Sequence, residues 1–224
     1  HLAADLDAVL AATLQPGERA VVAGHSMGGI AITSWAERHP DRVSERADAV
    51  ALINTTTGDL LRNVNLLPVP TQFSEARVRA AGTLLKAFGG APLVRAADRP
   101  SRRFVSSIAV GRDADPAVTD LVYQLFNATP AAGRGGWARV LVEHLGPRHI
   151  GLKNLTVPTL VIGSSQDRLL PMVSSRRIAA TAPNLARFVE LDGGHCAILE
   201  RPADVNAQLQ WLIDSVRQEG RASS

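Results

Sequence analysis

The sequence predicts an α/β fold: a parallel sheet with helices on both faces, interrupted part-way along by a helical insertion. Three observations predict it. Short apolar runs at 19–24 and 49–54, too short for helices, read as buried parallel strands, and 159–163 and 186–191 read as two further strands. Segments with helical spacing of apolar residues alternate with them, and strand-helix alternation implies parallel pairing with the helices packed over the sheet. Residues 59–148 break that alternation, with helical patches separated by Pro and Gly clusters and no convincing strand.

In chain order, LAADLDAVLAATL (2–14) places Leu2, Leu6, Val9, Leu10 and Thr13 or Leu14 at helical spacing, and Pro16-Gly17 ends it. The strand at 19–24 follows, then a helix over GGIAITSWAER (28–38) that His39-Pro40 stops. The strand at 49–54 leaves through the loop Thr55-Thr56-Thr57-Gly58. The insertion carries EARVRAAGTLLKAF and PAVTDLVYQLFN as its clearest helical patches. Alternation resumes with the strand 159–163, a helix over 172–181, the strand 186–191 and an amphipathic helix over 203–217. The expected organisation is therefore core 1–58, insertion 59–149, core 150–217, and a polar, small-residue tail at 218–224 that frays.

Composition narrows the function classes. With 224 residues, 46% hydrophobic and 20% charged, the chain can bury one sizeable core. A formal charge of +3, with basic residues scattered among acidic ones, gives no reason to expect nucleic-acid binding. Lys86 and Lys153 are the only lysines, so nearly all positive charge is arginine, which reads as genome composition more than chemistry. A single cysteine, Cys196, excludes an intramolecular disulfide framework and a cysteine-rich metal site. No apolar run approaches the roughly 20 residues of a membrane-spanning helix. The opening His-Leu-Ala-Ala-Asp-Leu has no signal-peptide pattern, and a cytoplasmic location is expected. No ligand cluster or dinucleotide fingerprint implies a metal or organic cofactor.

The strongest local signal is Gly24-His25-Ser26-Met27-Gly28, placed where a strand turns into a helix. A serine at such a turn adopts a strained backbone that lifts its hydroxyl above the sheet, and the flanking glycines are expected to prevent collision with the adjoining strand and helix. The Met27 N–H, at the start of the helix, is placed to stabilise an oxyanion. A serine hydroxyl needs a general base, and the base an orienting acid. His195, in Asp192-Gly-Gly-His-Cys196 directly after the last strand, is the natural base. His39 precedes a proline, His144 and His149 fall in the insertion, His1 is terminal, and His25, beside the serine, is expected to point elsewhere. Asp167, just past the third strand in Gly163-Ser-Ser-Gln-Asp167, is the favoured acid. Its rivals are Asp192, which shares the histidine's short loop, and Asp59, after the second strand. Ser26, Asp167 and His195 all follow strand C-termini, where open α/β sheets gather their sites.

These residues resemble the α/β-hydrolase superfamily, particularly its lid-bearing esterase and lipase-like members, through GHSMGG (24–29), GSSQDRLLP (163–171) and GGHCAILERP (193–202). The resemblance covers 1–58 and about 150–217, and gives 59–149 the place of a helical cap that sets acyl-group choice. It implies a small-molecule ester or acyl substrate, no cofactor, and Ser26, His195 and Asp167 as a triad with Met27 in the oxyanion hole. Serine at 26 disfavours the aspartate-nucleophile members, haloalkane dehalogenases and epoxide hydrolases. The same triad would also serve carbon–carbon bond hydrolysis or cofactor-free perhydrolysis, and the fold could serve a non-catalytic binding protein. No oligomeric state is implied. Leu60, Leu61, Leu66, Leu67, Phe73, Leu84, Leu85, Phe88, Val122, Leu125 and Phe126 are candidates to line an acyl pocket in the cap.

The resemblance also implies that first strands, and a loop with a His-Gly motif donating a second oxyanion N–H, precede residue 1. Upstream sequence of about half to one small domain is therefore expected, with 1–224 alone poorly soluble and nearly inactive. On that expectation residues 20–24 pair only with 49–54 and leave their other edge bare.

Overall fold

The computed structural model describes residues 1–63, 75, 78–80, 82–83 and 98–222. Four strands form one sheet in the order β1-β2-β3-β4, with β1 Ala20–His25, β2 Ala47–Ile53, β3 Thr159–Ser164 and β4 Leu185–Leu191. Every neighbouring pair is parallel. Among the described residues β1 pairs with β2 alone, in a register running from Ala20 opposite Ala47 to His25 opposite Ile53. Val21 and Val22 are half-buried and Ala23 is exposed.

Alternation along the strands assigns residues to the two sides of the sheet. Val50, Leu52 and Val161 join Ala3, Leu10, Ile32, Trp35, Val43 and Ile178, so one face is covered by the helices Leu2–Thr13, Met27–Arg38, Pro40–Arg46 and Met172–Thr181. Ala49, Ala51, Ile53, Leu160 and Ile162 face Val205 and Leu212 of the C-terminal helix Pro202–Ala222. Burial on both faces explains why these strands read as continuous apolar runs. Trp35 is fully buried and its indole N–H donates to Asp7 at 3.0 Å, which fastens the first helix to the second.

Three local readings change. Pro40 ends one helix but opens another, Pro40–Arg46, because proline's fixed φ and missing N–H suit the first helical turn. A one-turn helix, Ala197–Glu200, follows the histidine loop. The tail expected to fray from Gln218 is helical to Ala222, since Gln218, Glu219, Arg221 and Ala222 are good helix formers and only Gly220 opposes them.

Within the insertion, the described residues form the helices Leu60–Asn63, Asp98–Ala109, Pro116–Ala128 and Ala131–His144, and no strand. Both ends of the insertion are stitched together at its root. The Asp59 and Leu60 N–H groups donate to the Gly146 and Leu145 carbonyls at 2.7 and 3.1 Å, and the Ile150 N–H to the Thr57 carbonyl at 2.8 Å. His149 lies between Thr57 Oγ1 at 2.9 Å and Asp59 Oδ2 at 3.3 Å. No described helix is long and apolar enough to cross a membrane.

Candidate active site

The site assembles where β1, β2, β3 and β4 end. Ser26 sits between β1 and the helix Met27–Arg38 at φ 53°, ψ −116°, a conformation costly for a residue with a Cβ. Its N–H donates to the Ile53 carbonyl at 3.0 Å and its carbonyl accepts from Thr55 Oγ1 at 2.7 Å, so β2 and its exit loop hold the turn. The glycine requirement falls differently from the motif reading. A Cβ on Gly24 would lie 2.4 Å from the Gly28 carbonyl carbon and one on Gly29 would lie 2.6 Å from Thr55, whereas one on Gly28 would meet nothing within 4 Å. The close approaches are thus strand to helix at Gly24 and helix to loop at Gly29, and Gly28 is correspondingly unconstrained.

His195 Nε2 lies 2.9 Å from Ser26 Oγ, and His195 Nδ1 lies 2.9 Å from Asp167 Oδ2. Ser26 is half-buried, and His195 and Asp167 are buried. A carboxylate only accepts, so Nδ1 carries the proton towards Asp167 and Nε2 is left to accept from the serine hydroxyl. Asp167 is itself held on both oxygens. Oδ1 accepts from the Leu169 and Leu170 N–H groups at 2.9 and 2.8 Å, and Oδ2 also accepts from Asn54 Nδ2 at 3.0 Å.

Neither rival acid reaches the imidazole. Asp192 is exposed and braces the acid loop against the histidine loop, accepting from Gln166 Nε2 at 2.8 Å and Ser165 Oγ at 3.0 Å. Those two hydrogen bonds, Gln166's first, hold its carboxyl below the usual range. Backbone bonds run beside it, from the Ser165 N–H to the Leu191 carbonyl and from the Gln166 N–H to the Gly193 carbonyl, each 2.9 Å. Asp59 is engaged by His149 at the root of the insertion.

Two side chains that the sequence reading passed over, Asn54 and Glu200, hold this arrangement, and His25 joins them against expectation. Asn54, fully buried at φ 44°, donates to Asp167 and accepts from Ser164 Oγ at 3.3 Å. A polar residue closing an apolar strand run was the signal available for it. Removing a hydrogen bond to a charged group costs about 1.5–3 kcal/mol, and the left-handed backbone adds to the loss for alanine. Asn54→Ala should therefore lower the urea midpoint by at least that equivalent; an unchanged midpoint would show that Asp167 does not depend on it.

Glu200 accepts from the Gly194 N–H and, across to the insertion, from the Gly111 N–H at 2.7 Å. The Cys196 N–H donates to the Ala109 carbonyl at 2.9 Å. A Cβ on Gly194 would lie 2.3 Å from the Gly111 nitrogen, which is why glycine occupies this point of the histidine loop. Burial, then Glu200's charge, pushes the Cys196 thiol up to about 12, so it is protonated and unreactive at neutral pH.

His25, expected to point elsewhere, turns to the site. Its Nε2–H donates to the His195 backbone carbonyl at 2.7 Å, and the two rings lie 4.9 Å apart. Burial, and then the neighbouring His195, lower its pKa to about 4. Because the folded value lies below the unfolded one, this group's contribution is present above pH 6.5 and is lost as pH falls towards about 4. His25→Gln keeps an N–H donor without the titration, and should flatten this part of the stability profile between those pH values in urea unfolding. An identical profile would exclude His25 as its source.

Among the described residues, no group of three or more His, Cys, Asp or Glu is placed to hold a metal ion. Of the residues considered for an acyl pocket, Leu66, Leu67, Phe73, Leu84, Leu85 and Phe88 lie outside the described residues. Leu60 packs with Ile30, Leu145 and Leu170 in a cluster that includes Met27, next to Ser26. Val122 and Phe126 belong to a cluster that includes Cys196, next to His195, while Leu125 is exposed.

With this geometry, the chain matches the alpha/beta hydrolase fold family over residues 1–202. It belongs to that family. It is 26% identical over 209 residues to the biotin biosynthesis bifunctional protein BioHC of Teredinibacter turnerae, across 90% of this chain and 34% of that protein. It is 28% identical over 200 residues to the pimeloyl-[acyl-carrier protein] methyl ester esterase of Aromatoleum aromaticum, across 87% of this chain and 74% of that protein. An esterase from Exiguobacterium antarcticum superposes with a TM-score of 0.70 at 16% identity, across 96% of this chain and 72% of the esterase, a likeness of fold. The chain thus spans about a third of the bifunctional relative's length and about three quarters of the other two.

Proposed function

We propose that this α/β-hydrolase is a carboxylic-ester hydrolase that works through an acyl-serine intermediate. The observation that carries the reading is the continuous hydrogen-bonded line from Ser26 Oγ through His195 to Asp167, ending on a serine held at a positive φ. In this mechanism Ser26 Oγ attacks the ester carbonyl as His195 Nε2 takes its proton. Asp167 fixes the imidazole in the Nδ1–H tautomer and stabilises its positive charge. The Met27 N–H, among the first of its helix and so without an intrahelical partner, binds the oxyanion. The tetrahedral intermediate collapses, His195 returns the proton to the departing alcohol, and water attacks the acyl-serine by the same route with the oxygens exchanged.

The cap clusters that reach Met27 and Cys196 support a substrate enclosed between cap and sheet, since both touch residues next to the reacting pair. Esterase relatives in the family support the ester as substrate class. A fluorophosphonate probe tests the reading, because an activated serine is labelled and a scaffold serine is not. Adduct mass on the peptide containing Ser26 is the expected result. Absence of labelling on native protein would reject the serine mechanism, and a series of nitrophenyl esters of increasing acyl length would then rank substrates for a protein that labels.

A further inference from the structure

One cleft opens beside the acid loop without including Ser26. It lies between the helix Asp98–Ala109 and the acid loop, has a volume of about 1340 Å³, and includes neither Ser26 nor His195 in its lining. Arg99, Arg102 and Arg103 face it from the helix, Arg112 from the loop that follows, and Arg168 from the acid loop. Five guanidinium groups from three segments thus converge on one concavity, all of them charged at any accessible pH.

The nearby carboxylates leave most of that charge uncompensated. Asp167 is buried and turned to His195, Asp192 is bound by Gln166, Ser165 and Arg201, and Asp120 pairs with Arg102 alone. Arg168 Nη1 donates to the Ser107 carbonyl at 3.0 Å, a neutral acceptor that leaves its charge in place. Arg99, Arg103 and Arg112 have no carboxylate partner among the described residues, and Asp113 is the one remaining acid in the lining. All five arginines are exposed, and like charges gathered along one concavity raise the positive potential within it. The planar guanidinium fork matches carboxylate and phosphate oxygens in pairs. The N-terminus of the helix Met172–Thr181 opens on the same cleft at Pro171, Met172 and Val173 without a side-chain cap, which favours negative charge there as well.

We propose that this cleft binds a small polyanion carrying phosphate or carboxylate groups, at a site that adjoins the Ser26–His195–Asp167 line through Asp167 but includes neither Ser26 nor His195. The volume exceeds what one phosphate fills and suits a molecule with several anionic groups. Such a ligand ties the cap helix to the acid loop, which already meet through Arg168 and Ser107 and through the Arg112 N–H, which donates to Gln166 Oε1 at 2.8 Å.

Calorimetric titration of the protein with sodium pyrophosphate and with citrate, at constant ionic strength, tests this without any turnover, so the outcome is independent of the esterase reading. Saturable binding with a Kd below about 1 mM is expected for at least one of them. The stronger of the two identifies phosphate or carboxylate as the preferred chemistry. Arg103→Gln with Arg112→Gln should weaken it on the order of tenfold or more. Arg42→Gln, which removes an exposed guanidinium paired with Glu45 on the helix Pro40–Arg46, should leave it unchanged. No saturable binding of either probe, or equal affinity in the double variant with native circular dichroism, overturns the proposal.

Discussion

Ser26→Ala is expected to lower kcat for a nitrophenyl ester on the order of 10⁶-fold, the scale on which losing a nucleophile collapses a serine-histidine-acid mechanism. The fold should survive, because the contacts that hold the turn are made by the Ser26 backbone, to Ile53 and Thr55, and alanine keeps them. What disappears is Oγ, the atom 2.9 Å from His195 Nε2. Loss of turnover with an unchanged unfolding midpoint therefore separates a chemical role from a structural one. The acyl adduct trapped by rapid acid quench of the native protein should be missing from the variant in mass spectra. Turnover retained within tenfold would remove the acyl-serine intermediate from the proposal.

The sheet was legible because a strand buried on both faces is apolar along its buried run, as β2 is from Ala49 to Ile53 and β3 from Leu160 to Gly163. The loops that carry Ser26, Asp167 and His195 were legible because each follows the end of a strand, β1, β3 and β4 in turn. Residues that act through tertiary contact left weaker traces. His25 meets a carbonyl 170 positions away and Asn54 a carboxylate 113 positions away, separations that no local pattern encodes. Gly28 and Gly29 look equivalent in sequence, and only the placement of Thr55 makes Gly29 the constrained one. The helix Ala131–His144 was hidden by Gly133, Gly135 and Gly136 in its first turns, which argue for a loop. It is held instead by buried Arg134, whose guanidinium donates to the Phe126 and Thr129 carbonyls and lies over the Phe126 ring at 4.8 Å. Packing there overrides propensity.

Asp167→Asn is expected to lower kcat on the order of 10⁴-fold, a magnitude taken from the loss of the orienting acid in a serine protease. The geometry says why so small a change should matter. Two backbone N–H groups, of Leu169 and Leu170, point at Oδ1, and an asparagine satisfies them only by turning its own oxygen there. Its amide nitrogen then takes the place of Oδ2, 2.9 Å from His195 Nδ1, and meets the Asn54 amide donor as well. Facing a donor, the imidazole must present a bare Nδ1, so its proton moves to Nε2 and points at Ser26. A base that already carries a proton at Nε2 cannot take the serine's. Asp192→Asn, by contrast, keeps an oxygen for Gln166 and Ser165 on the exposed side of the loops and should change kcat less than tenfold, within the range of a weakened surface hydrogen bond. Steady-state kinetics on both variants, with unfolding midpoints measured alongside, decide the assignment: the large loss falling on Asp192 and the small one on Asp167 would transfer the acid's role to the other loop.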